Sequence, residues 1–117
     1  MTDLYFDDPD HRASEAEAFV AERAERAGAV DDARAAFRDA ARLEERAARR
    51  VVPADDGRMR SLFAISAVAL WLRAAEWDEA ARAGCAFLGE PDALTPDGRQ
   101  ALRSLIERAR SRNVDPE

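Results

Sequence analysis

Apolar positions recur at helical spacing along most of this chain, interrupted by a few short segments rich in glycine, proline or acidic residues. The first run, Ala16, Phe19, Val20, Ala24 and Ala27, predicts a helix buried along that face. Asp8 can cap it with Pro9 in first position, or Ser14 with Glu17 can form a later capping box, and Gly28 stops it. The second run is Val30, Ala33, Phe37, Ala40, Leu43 and Ala47. Asp31 and Asp32 fall in its first turn and Arg49 and Arg50 in its last, each where the helix dipole favours that sign. Pro53 excludes helix for the residue before it, and Asp55 or Asp56 can cap the next helix. That third helix, about Arg58 to Ala74, is apolar almost all round through Leu62, Phe63, Ile65, Val68, Leu70, Trp71 and Leu72, so it must be covered on several sides. A fourth, about Trp77 to Leu88, comes after a tight turn at Ala75-Glu76. Thr95 caps a fifth, Pro96 opens it, and Ala101, Leu102, Leu105, Ile106 and Ala109 form its buried stripe.

Composition sharpens this into an all-α fold of about five helices. Alanine makes up about a quarter of the residues and β-branched residues are scarce. Apolar residues are 47 % and charged residues 36 % of the 117, a globular helical balance that fits one domain with a modest core. The segments divide as an N-terminal arm (1–8), a first hairpin (9–50), a loop (51–57), a second hairpin (58–89) and a C-terminal capping helix (95–111). Leu4-Tyr5-Phe6 in the arm either folds back on the first helix or docks on a partner.

The two hairpins share a logic. Gly28-Ala29-Val30-Asp31-Asp32-Ala33 is followed by Phe37 and Ala40; Ala75-Glu76-Trp77-Asp78-Glu79-Ala80 is followed by Gly84. In each, a small residue ends one helix, an apolar anchor and an acidic pair open the next, and an alanine sits where two helices nearly touch. This pattern resembles the tetratricopeptide repeat, in which the alanine permits close crossing and the aromatic fills the space between repeats. The resemblance covers Ala16 to Leu88 and implies two antiparallel hairpins with a terminal solvating helix. The offset from Ala33 to Ala80 is 47 residues, against about 34 in that family, so a helix or loop is extended here. Gly84 replaces the second aromatic, and no proline closes the first repeat.

The net charge of -6 disfavours nucleic acid and anionic membrane as partners. The longest apolar run, Leu62 to Leu72, is far short of a membrane span. One cysteine and no charged-then-apolar leader point to the cytoplasm. Every basic residue is arginine. His11, the single histidine, reads as a solvated surface residue, and Cys85 as a small core residue. The acidic pairs each have a local use in capping or in pairing with arginines. Nothing in the sequence marks a cofactor, a metal site or a catalytic set.

These observations lead to the expectation of a non-catalytic protein–protein interaction module, adaptor or chaperone-like, that holds a peptide or helix of another protein. The alternative is a small regulatory or assembly subunit, an obligate homodimer included, of an enzyme or defence complex. In the resembled family the first helices of each hairpin line the ligand surface. That surface would here comprise Glu15, Glu22 and Glu25 with Arg58, Leu62, Ile65 and Leu72, and would suit a ligand with apolar anchors and basic flanks.

Overall fold

The computed structural model describes residues 6–52, 57–90 and 92–114, which form five helices and no strand. They are α1 (Pro9–Arg26), α2 (Val30–Arg50), α3 (Gly57–Arg73), α4 (Trp77–Leu88) and α5 (Pro96–Val114). Leu4, Tyr5 and the candidate caps Asp55 and Asp56 lie outside the described residues. α1 packs chiefly on α2, α2 on α3, and α3 on both α4 and α5, which also pack on each other.

Local chemistry sets the helix ends. The Asp8 carboxylate accepts from the Asp10 and His11 amides at 2.8 and 3.3 Å, leaving Pro9 in the first turn, where its missing N–H costs nothing. Ser14 is not a cap: it lies inside α1, buried, and its hydroxyl donates to the Ala40 carbonyl of α2 at 2.8 Å. Thr95 Oγ1 accepts from the Gly98 amide at 3.0 Å and so caps α5.

The two inter-helix turns are built alike in the backbone. Gly28 and Ala75 both have positive φ, 81° and 61°. Each amide bonds three residues back, Gly28 to Glu25 and Ala75 to Leu72. The next amide bonds five back, Ala29 to Ala24 and Glu76 to Trp71, which satisfies the carbonyls a helix end leaves open. Ala33 and Ala80 sit at matching positions beyond the turns, 3 % and 0 % exposed.

One core cluster joins α2 to α5 around Phe63, Val68, Trp71, Phe87 and Leu102. A smaller one, under α1, contains Ala21, Ala33, Ala36, Phe37 and Ala74. α1 does not bury the face that its apolar spacing suggests. His11, Ser14 and Ala21 point inward, while Phe19 and Val20 are 57 % and 54 % exposed. The cause is distance: α1 approaches α2 through small residues, Ser14 and Ala21 against Ala33, Ala36 and Ala40, and a phenylalanine between them would hold the helices apart. Val30 is likewise exposed rather than an anchor.

Candidate functional site

α3 carries the feature of greatest interest. Its positions 58, 62, 65, 66, 69 and 73 share one face at helical spacing, and all are exposed or half-buried. On one side of this stripe α3 turns to α1: Phe63 stacks on the His11 ring at 4.7 Å between centroids, and Arg73 bridges Glu22 and Glu25 at 3.1 and 2.9 Å. On the other side it turns to α5, where Ser61 Oγ accepts from the Thr95 amide and Ala69 and Leu72 line a hollow with Arg108 and Arg112. The stripe is therefore left open along α3 between α1 and α5, with a hollow at its Ala69–Arg73 end, and this open strip is the α3 groove.

The expected site residues divide within it. Leu62 is 51 % exposed on the floor, Ile65 is half-buried against the core, and Arg58 stands exposed at the α3 start. Leu72 belongs to the core, at 9 % exposure, because it faces α4 and α5. Glu22 and Glu25 are brought to the groove edge, but Arg73 already satisfies both. Glu15 is exposed and reaches His11 Nε2 at 3.4 Å. The flanks are thus less acidic than the sequence implies, since α5 contributes Arg108 and Arg112, which sequence spacing alone did not bring to this groove.

The buried polar groups lie behind this floor. His11 is not a surface residue: its Nδ1 meets Glu44 Oε1 at 2.8 Å, both residues nearly enclosed. Burial pushes the Glu44 carboxyl above its usual range despite the bonds from His11 and Ser66. The neighbouring Glu45 accepts from Trp71 Nε1, Arg49 and Arg82. Burial opposes its charge, yet these donors hold it below the usual range. Arg60, enclosed beside Phe87, donates to the carbonyls of Ala48 and Val51 and pairs with Glu90, closing the α2 C-terminus.

A larger hollow, of about 740 Å³, lies where α2 meets the α3–α4 turn, with Trp71 in its wall. Its guanidiniums are engaged with carboxylates from neighbouring turns or helices, as in Arg38 with Glu76 and Arg82 with Glu45 and Glu79. The signal that could have found these interior charges is the run Glu44-Glu45-Arg46, whose residues fall on different faces of α2 at 100° per residue. Cys85 is exposed on α4, its Sγ receiving a long contact from Arg110 at 3.6 Å, and is not the core residue expected.

Comparison with family models, with characterised proteins and with solved structures finds no match. No helix among the described residues is long and apolar enough to cross a membrane.

Proposed function

We propose that the chain is a non-catalytic protein-interaction module that seats an apolar segment of a partner protein on the α3 groove. The observation that carries this reading is Leu62. A leucine half-exposed on a helix with three packed neighbours stands in a row with Ile65 and Ala69, and helices on both sides would confine a ligand laid along it. The turn-for-turn likeness of the two hairpins supports a tetratricopeptide-like use of the first helix of each hairpin.

Leu62→Glu tests this, because glutamate is a good helix former and the site is open. Affinity capture from the native cells with wild type and variant, each checked for helicity by circular dichroism, should give a protein retained by the first and lost by the second. Equal capture by both would remove the groove from the account.

A second reading has its own observation. Phe19 and Val20 on α1, with exposed Ala16 beside them, form a separate apolar patch on the outer side of the hairpin, suited to assembly as a subunit or homodimer. Sedimentation equilibrium distinguishes the two: a dimer abolished by Phe19→Glu and untouched by Leu62→Glu favours this second reading.

A further inference from the structure

α5 differs electrostatically from the rest of the chain. On α1 to α4 most arginines are ion-paired, among them Arg38, Arg50, Arg60, Arg73 and Arg82. α5 carries Arg99, Arg103, Arg108, Arg110 and Arg112 against Asp97 and Glu107, and none of the five makes a carboxylate ion pair among the described residues. A chain of net charge -6 thus holds one basic edge.

Arg99, Arg103 and Arg110 share a face of α5, at i, i+4 and i+11. Two hollows run along this face, of about 660 and about 370 Å³, with Arg103 common to both. Their walls include Leu94 and Pro96 in the first and Leu88 and Ile106 in the second. The result is a trough, its second hollow against α4, whose walls hold apolar side chains alongside Asp92 and Glu107 and whose rim carries arginines without a carboxylate partner among the described residues. Glu107 stands at helical spacing from both Arg103 and Arg110 and pairs with neither among the described residues; both arginines are exposed, and Arg110 makes a long contact to Cys85 Sγ at 3.6 Å.

We propose that this α4–α5 trough docks an acidic amphipathic segment of a partner protein, apolar on one side and carrying carboxylates on the other. Unpaired arginines select carboxylates, which they can hold bidentately, and the apolar walls require a side chain to fill them. The rise along α5 separates the three arginines by about 6 Å and then by about 10 Å, a spacing that glutamates at i, i+4 and i+11 of a partner helix reproduce. Nucleic acid fits less well: Asp92 and Glu107 interrupt the trough and the chain as a whole repels a continuous run of phosphates. The site is separate from the α3 groove and does not depend on it.

The test uses the full chain and a fluorescein-labelled helical peptide bearing glutamates at i, i+4 and i+11 with two leucines on the adjoining face, monitored by anisotropy. The wild type should bind it at least tenfold more tightly than the same peptide with lysines for the glutamates, and addition of salt should weaken the difference. The double variant Arg103→Glu with Arg110→Glu, both exposed and not needed for the core, should reverse this preference while keeping its helicity. An unchanged preference in the variant, or no preference in the wild type, overturns the proposal. So does a single-stranded oligonucleotide that binds the wild type more tightly than the acidic peptide. Concentration-dependent self-association that the double variant abolishes would make the occupant a second copy and overturn it equally.

Discussion

Gly84 lies so close to Ile106 that a β-carbon at position 84 would stand 2.6 Å from Ile106 Cγ1 and 2.9 Å from Cδ1. Gly84 holds the place in the second hairpin that Phe37 holds in the first. The space an aromatic would fill between hairpins is here filled from α5 by isoleucine.

Gly84→Ala should therefore be destabilising although alanine is the better helix former. Overpacking is expected to cost about 1 to 3 kcal/mol, outweighing a gain of about 1 kcal/mol in helix propensity. Urea midpoints check the sign, and Gly84→Ala combined with Ile106→Ala should cost less than the sum of the two singles. An additive pair would mean the two side chains do not compete for one space.

Ala75 presents the opposite case. Its φ of 61° is a conformation that costs a non-glycine residue roughly 1 kcal/mol or more, whereas its counterpart Gly28, at 81°, adopts it freely. Ala75→Gly should stabilise the chain by about 0.5 kcal/mol after the added entropy of the unfolded state is subtracted, and Gly28→Ala should destabilise it by about 1 kcal/mol. Thermal midpoints moving in the same direction for both would contradict the shared turn geometry.

The turns were legible in sequence because their chemistry is local: a small residue, an anchor and an acidic pair at fixed spacing. All five helices and the buried Ala33, Phe37, Trp71 and Ala80 come from the same patterning. The orientation of α1 was not legible, since two stripes on it are helically spaced and apolarity favours the wrong one. Burial of Ser14 and Ala21 is decided by how closely α2 approaches, which is a tertiary fact. His11 and Glu44 were hidden for the same reason: they lie 33 residues apart and neither has a sequence neighbour that announces the other. Of the candidate groove, Leu62 was named as part of a helix apolar almost all round, whereas the neutralisation of Glu22 and Glu25 by Arg73 needed the fold.

Asp8 ties α1 to the end of α2. The hydrogen bonds from Arg50 lower its pKa from 3.8 to about 2, aided by the amides it caps and opposed by partial burial. A depressed carboxylate binds its proton more weakly in the folded chain, so its contribution is complete above about pH 4 and is lost as pH falls towards 2. Asp8→Asn keeps a capping side chain but not the charge. It should cost of order 1 kcal/mol at pH 7, after screening of the half-exposed Arg50, a cost that shrinks as pH falls through 2. A cost independent of pH would assign the effect to the cap alone.

Glu44 has the reverse sign. Burial raises its pKa above the ordinary 4.5, so the folded chain holds that proton more tightly and stability from this group declines as pH rises beyond 4.5. Glu44→Gln retains a partner for His11 without the buried charge. Relative to wild type it should gain stability steadily as pH is raised from 4.5, read as the difference between urea midpoints. A variant that instead loses ground with rising pH would show that the His11 contact outweighs the cost of burial.

The strongest check on the groove compares two leucines ten residues apart on α3. Leu62 is 51 % exposed and Leu72 is 9 % exposed among residues of the main core. Placing a charge at an open site on a helix changes stability by about 0.5 kcal/mol at most, whereas an unpaired buried carboxylate costs several kcal/mol or enforces local opening. Leu62→Glu should thus keep its denaturation midpoint and its helicity, while Leu72→Glu should lose most of both. If the Leu62 variant unfolds as readily as the Leu72 variant, the stripe is covered within the chain itself and there is no open floor for a partner to occupy.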